Sequence, residues 1–287
     1  MFFGLDRYQH RFVRSDQDLI HLLPGGDATV FYAQVDLLRR AGMLNLLAGA
    51  KTSQDREYQA FVEATGFNYA KDVDAIAGSA AHDNLFLVVK GRFAWNRMRA
   101  YVEGHNGHCS GHTCRFPGSE PGTWISLVRV QSTVLGMARG KSKDLVSSIH
   151  PNQQPIPEPY PTEPVWVRLA PSLLKNPAQL PVALRIFAIS MESADAVVVA
   201  LAPVQPGSQD AFEIKLVAEC PVPATADTIR TQLELETKTL KLELAHEHQE
   251  PNPADLTGLL TSGKFQTNGK EVTGEWPVSK QLVKTLQ

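Results

Sequence analysis

The sequence predicts an α+β protein of two similar halves, each an antiparallel sheet with helices packed on one face. Three observations carry that expectation. Short alternating runs of apolar and polar residues succeed one another through tight turns, as antiparallel strands do. Helical patterns fall between groups of strands, which points to helices covering a sheet face. A proline-rich stretch divides the chain, and matching patterns lie on either side of it.

The first strand is expected near 29–35. It leads into "LLRRAGMLNLLAGA", where Leu37, Leu38, Ala41, Leu44 and Ala48 share a face at helical spacing. A second helix is expected over about 54–64, then strands near 72–79 and 84–91 with Asp83-Asn84 at their turn. Arg92 and Phe93 read as the turn after that strand, and Trp95 as an aromatic anchor for a helix near 94–103. Strands near 108–116, 123–130 and 132–138 and a short helix at 142–149 complete the first half, residues 1–150. The linker, residues 151–164, lies within "HPNQQPIPEPYPTEP", whose six prolines fix φ and remove backbone donors, so it should be extended.

The second half, residues 165–287, repeats the order of the first. Val134, Gly136, Ser142, Lys143, Leu145, Val146 and Ile149 align, with one gap, on Val272, Gly274, Ser279, Lys280, Leu282, Val283 and Leu286. "VFYAQVDLL" resembles "VWVRLAPSLL", and "VDAIAGSA" resembles "ADAVVVAL", in the same order along the chain. "TADTIRTQLELE" reads as the helix of this half, and Asn268-Gly269 as a two-residue hairpin turn. Trp124, Trp166 and Trp276 fall at strand positions.

Composition narrows the function. With 28 basic and 30 acidic residues the net charge is −2, and no basic block stands out, so a nucleic-acid partner is not expected. No apolar run approaches the roughly 20 residues of a transmembrane helix. The N-terminus does not read as a signal peptide; export is expected if a signal has been removed, and a cytoplasmic location otherwise.

"GHNGHCSGHTC", residues 104–114, gathers three of nine histidines and two of three cysteines. Three readings stay open. In one strand, His108, Ser110, His112 and Cys114 share a face and carry no chemistry. If "SGHT" is a hairpin loop, Cys109 and Cys114 face each other at disulfide distance. In the third, His105, His108, Cys109, His112 and Cys114 offer zinc ligands, although Cys-x4-Cys lies outside the usual spacing. His246 and His248, two apart in an expected strand, offer a second pair. Cys220 reads as a small buried hydrophobe.

"GMARGKS", residues 136–142, is one residue short between its glycines for a phosphate-binding loop, and Ser142 and Ser279 read instead as helix caps. Asp72, Asp74 and Asp83 read as strand-start and turn residues. No nucleophile elbow, zinc-protease helix or dinucleotide fingerprint is present. Asp72, Val73, Asp74, Gly91, Arg92 and Phe93 form a "DVD … VVKGRF" pattern that resembles uncharacterised bacterial proteins, some of them exported. That resemblance, over the first 150 residues, implies no activity and supplies no site residue. The expected function is therefore a non-enzymatic binding or interaction protein of the cell envelope. The alternative is a metal-binding protein or metalloenzyme using the five residues of 105–114.

Overall fold

The computed structural model of the chain describes residues 13, 15–44, 55–150, 156–176, 178, 182–204 and 211–286. Ala48 and residues 151–155 of the linker lie outside the described residues.

The described strands form one antiparallel sheet of twelve. In chain order they are β1 (Thr29–Gln34), β2 (Val73–Ala81), β3 (Asn84–Gly91), β4 (His108–Ser110), β5 (Thr113–Pro117), β6 (Trp124–Gln131) and β7 (Val134–Gly140). They continue with β8 (Val165–Leu169), β9 (Ala196–Pro203), β10 (Phe212–Glu219), β11 (Lys264–Asn268) and β12 (Glu271–Val278). Across the sheet the order is β11-β12-β10-β9-β8-β1-β2-β3-β7-β6-β5-β4. The expectation of one sheet per half is corrected here. β1 pairs with β8, from Val30 opposite Arg168 to Ala33 opposite Val165, so the two sheets are one. Alone, each half would leave that strand as an unpaired edge, and pairing satisfies its backbone groups.

The helices are α1 (Val35–Arg40), α2 (Arg56–Thr65), α3 (Tyr69–Asp72), α4 (Trp95–Gly104), α5 (Pro171–Lys175), α6 (Val182–Ser190), α7 (Pro223–His246), α8 (Leu256–Leu260) and α9 (Lys280–Leu286). Short 3₁₀ turns cover Asp16–Leu22 and Leu145–Ser148. α1 is shorter than its periodicity predicts, because Gly42 at φ 69° turns the chain just beyond it. α7 is longer than expected and absorbs His246, which the sequence placed in a strand. No glycine or proline interrupts residues 224–246, so nothing ends the helix earlier.

Period-two alternation divides the sheet into two faces. One face carries Val30, Tyr32, Ala75, Ala77, Phe86, Val88 and Trp166, buried beneath Leu19, Ile20 and Leu23 of the N-terminal 3₁₀ segment and Ile156 of the linker. The linker thus docks on the sheet. Arg168 donates hydrogen bonds to the carbonyls of Pro157 and Pro159.

The opposite face is apolar across almost its whole width. Trp276, Ile214, Leu201, Val165, Ala33, Ile76, Val89 and Leu135 are successive register partners in one row. At one end α7 buries Ala226, Ile229 and Leu233 against Leu216, Val272 and Trp276. At the other, α4 buries Met98 and Val102 against Cys109, Cys114, Leu127 and Leu135.

Turn details differ from expectation by one residue. The β11–β12 turn is Gly269-Lys270, with Gly269 at φ 62°, because Asn268 pairs with Glu271. The β2–β3 turn is His82-Asp83, with Ala81 opposite Asn84. Ser279 caps α9 by accepting from the Leu282 amide at 2.9 Å, as predicted. Ser142 accepts from Asp144 at 3.3 Å and lies before the 3₁₀ turn, whose cap position is Asp144.

Candidate functional site

Where β1 meets β8 the described helices leave an opening. α4 and α7 sit over the two ends of the apolar face, and the middle strands floor a cavity of about 580 Å³. Phe31 and Ala33 of β1, Val165 and Val167 of β8, Val199 and Leu201 of β9 and Ile214 of β10 form the floor. Met43, beyond α1, and Leu256, Leu259 and Leu282 of α8 and α9 form the walls. Val167, Val199 and Leu201 are partly exposed, as one face of an antiparallel sheet can be.

Local sequence explains the floor. Small and β-branched residues alternate here with side chains aimed at the other face. Phe31 lies over Gly78, its register partner; a Cβ at Gly78 would stand 2.1 Å from the Phe31 ring. Gly78 therefore lets a large ring lie flat on the sheet, which lowers the floor.

Polar chemistry at this cavity is sparse. Tyr32 turns its ring to the opposite face, against Trp166, where burial raises the pKa of its hydroxyl far above the usual value. Asp255, at the rim, caps α8 by accepting from the Thr257 hydroxyl at 2.6 Å and the Thr257 amide at 2.7 Å. Those bonds hold its carboxyl below the ordinary range. Thr285 adds a hydroxyl to the described lining. The arrangement suits burial of an apolar surface.

The 104–114 stretch is a disulfide hairpin. Cys109 and Cys114 are register partners in β4 and β5, their Cα atoms 4.1 Å apart, joined sulfur to sulfur and buried beneath α4. Ser110 pairs with Thr113, so the turn is Gly111-His112, with Gly111 at φ 57°, rather than a four-residue loop. The five residues proposed as zinc ligands are not brought together. Both sulfurs are bonded to each other. His108 pairs with Arg115 on the opposite sheet face, and His112 sits exposed in the turn. His105 ends α4, with its ring stacked at 4.0 Å on Tyr101 and Nδ1 2.7 Å from the Tyr101 carbonyl. Among the described residues no group of three or more His, Cys, Asp or Glu side chains is placed to hold a metal ion. His246 closes α7 and His248 follows it at φ 57°, so this pair does not share a strand face.

The carboxylates also prove structural. Arg92 forms ion pairs with Asp72 at 3.3 Å and Asp74 at 3.9 Å, and it donates to the Lys71 carbonyl. Gly91 is required beside them, since a Cβ there would stand 2.1 Å from the Asp72 carbonyl oxygen. Phe93 stacks on Phe67 at 5.4 Å. The "DVD … VVKGRF" residues thus form one joint between β2, β3 and the helices above. Cys220 is buried and free, and burial raises its thiol pKa.

The fold is similar to that of a protein designated TP0453, solved in several crystal forms. Crystal form III superposes with a TM-score of 0.49 at 12% identity, covering 93% of this chain and 96% of that one. Crystal form IV gives 0.48 at 11% identity, covering 94% and 96%. No protein-family model matches the chain, and no curated protein matches it.

The sequence reading missed the central cavity. Its floor comes from four strands spread over residues 31 to 214, and each of those strands reads as ordinary alternation. A cavity of this kind has no linear motif.

Proposed function

We propose that the protein is a non-catalytic binding protein that holds a hydrophobic small molecule over the middle of its sheet. The observation that carries this reading is the cavity at the β1–β8 junction. Its volume, about 580 Å³, falls in the range of small-ligand sites, and its floor is apolar in every side chain. Half-exposed Val167 and Leu201 and exposed Leu256 together offer surface whose burial favours an apolar occupant.

The strand order supports the internal duplication read from the sequence, with units at 1–150 and 165–287 on either side of the linker. Outward from the centre it runs β1-β2-β3-β7-β6 on one side and β8-β9-β10-β12-β11 on the other. The cavity then lies on the pseudo-symmetry junction, where helices belonging to two units diverge. The Cys109–Cys114 bridge supports an oxidising compartment, in keeping with an envelope location.

The test is fluorescence titration with anilinonaphthalene sulfonate, paired with Val167→Trp and Val199→Trp, which fill the cavity from its floor. The folded wild type should enhance probe fluorescence saturably, and either filled variant should lose that signal while keeping its thermal transition. Absence of saturable binding to the wild type, or undiminished binding to both filled variants, would overturn the reading.

A further inference from the structure

A second cavity, a shallow hollow wide open to solvent, lies away from the first, over the β5–β6 end of the sheet. Its volume is also about 580 Å³, and it shares no lining residue with the central one. Tyr58 and Phe61 of α2, Tyr101 of α4 and Phe116 of β5 line it, above Ile125 of β6. All four aromatic residues are half-exposed, neither sealed in the core nor fully in water. The ring of Tyr101 stands perpendicular to two of the others: to Phe61 at 5.0 Å between centroids and to Phe116 at 6.5 Å. His105 stacks on one face of the Tyr101 ring at 4.0 Å, and the remaining surface of that ring lines the space with Tyr58, Phe61 and Phe116.

The charged side chains among the described lining residues carry a single sign, while His105 stacks on the Tyr101 ring next to them. Asp55 and Glu57, at the start of α2, complete the lining, and no lysine, arginine or histidine is among the described lining residues. Asp55 caps α2 through the Tyr58 amide at 2.9 Å. Glu57 is exposed and forms no ion pair among the described residues. Burial, and then the charge of Glu57, raise the pKa of the Tyr101 hydroxyl, which places that carboxylate within electrostatic reach of the aromatic wall.

We propose that this aromatic, acid-rimmed cavity binds a quaternary ammonium group. Ring faces carry negative electrostatic potential and attract cations, most strongly those that shed water easily. A primary ammonium is strongly hydrated and needs several acceptors, whereas here the walls are rings and the carboxylates stand at the rim. A methylated ammonium is apolar at its surface and positive at its centre, so it meets both conditions. The disulfide belongs to the same device. Cys114 and Phe116 lie on one face of β5, so the bridge that pins the β4–β5 hairpin also fixes the Phe116 wall.

The experiment titrates the folded protein with tetramethylammonium and with choline, followed by NMR shifts of the aromatic and methyl signals. Dimethylbutanol, the neutral carbon isostere of choline, serves as control. Saturable shifts are expected for both cations and not for the alcohol. Each of Phe61→Leu, Tyr101→Leu and Phe116→Leu should weaken binding about 2- to 30-fold, the range that cation–ring contacts span. Glu57→Gln, at an exposed helix position where folding is not at issue, should weaken it as well. Choline binding without tetramethylammonium binding would show recognition through the hydroxyl and overturn the proposal. So would equal binding of the neutral isostere, an unaltered affinity in Glu57→Gln, or no saturable shift with either cation. Val167→Trp, which fills the central cavity, should leave ammonium binding unchanged, so this proposal and the apolar-ligand reading can fail separately.

Discussion

The two ends of the sheet answer the same physical problem in different ways. Each end must cover an apolar face of the sheet, which stops there at an edge strand. Beyond β10 the chain uses one 24-residue helix, α7, laid over the β11–β12 hairpin. Beyond β3 it uses a ten-residue helix, α4, and adds a second hairpin, β4–β5, strapped by the Cys109–Cys114 bridge. The difference shows in the aromatic residues. At the α7 end, Phe187, Phe265 and Trp276 pack edge to face and are buried. At the α4 end, Phe61, Tyr101 and Phe116 keep similar right angles but remain half-exposed around a cavity. A long helix seals its end, whereas a short helix with a covalent strap leaves a rimmed space.

That contrast can be broken most forcefully at the sealed end. Leu233 is fully buried on α7 within the core formed by Ile229, Leu216 and Trp276. Leu233→Ala should lower stability by about 2–5 kcal/mol, read from denaturant unfolding, because the site has no room to collapse. A loss below about 1 kcal/mol would show that α7 is not the element sealing this end.

At the strapped end the matching change is Cys109→Ala with Cys114→Ala. Closing so short a loop stabilises by about 2 kcal/mol in the chain-entropy account. The double variant should lose about that much, and reductant should move the wild-type transition in the same direction while leaving the variant unmoved. It should also weaken tetramethylammonium binding, because the Phe116 wall is no longer pinned. Unchanged affinity would separate the strap from the cavity.

A smaller effect should sharpen the account of α7. The Thr237 hydroxyl is buried there with no hydrogen-bond partner among the described residues. Thr237→Val removes that unsatisfied group at nearly constant shape and should raise stability by up to about 1 kcal/mol. A decrease in thermal midpoint would mean that the hydroxyl is in fact satisfied.

The smallest effects concern two exposed carboxyls. Asp83, in the β2–β3 turn, is held below the ordinary range by its hydrogen bond with Lys141 and then by that residue's charge, at 2.6 Å. Asp255 is held low by hydrogen bonds from Thr257. A lowered carboxyl pKa favours the folded state above the unfolded value, and that contribution fades as pH falls through the folded one. In NMR titrations both should protonate at lower pH than a free aspartate. Lys141→Ala should return Asp83 toward the ordinary value, and added salt should weaken the Asp83 shift more than that of Asp255. Equal salt sensitivity would refute the separation of causes.

Much of the fold was legible along the chain. Alternation places nearly every strand, and Arg92 and Phe93 read as a turn leading to a helix, where the structure builds a joint around Asp72. Ser142 and Ser279 read together as caps from the matching segments, and the structure makes Ser279 one while the other turn has Asp144 at its cap position. The misreadings have local physical causes. Gly42 ended α1 where periodicity ran on. α7 continued through His246 because helix propensity had no breaker to oppose it. Asn268-Gly269 signalled a turn, but the ladder put Gly269-Lys270 at its tip. The His/Cys cluster is visible as composition, but whether the chain folds back to pair Cys109 with Cys114 is decided by the β4–β5 ladder.

By itself, then, the sequence determined what short-range physics controls: which stretches extend, which coil, and where glycine and proline stop them. Tertiary structure alone decided that β1 and β8 would pair and merge two sheets into one, because an unpaired edge gains more from a partner than from water. It alone placed Val167, Val199 and Leu201 on an open floor, and it set Tyr101 against Phe61 and Phe116. Those juxtapositions join residues tens to more than a hundred positions apart, and a cavity depends on where covering helices diverge, a property that no local pattern encodes.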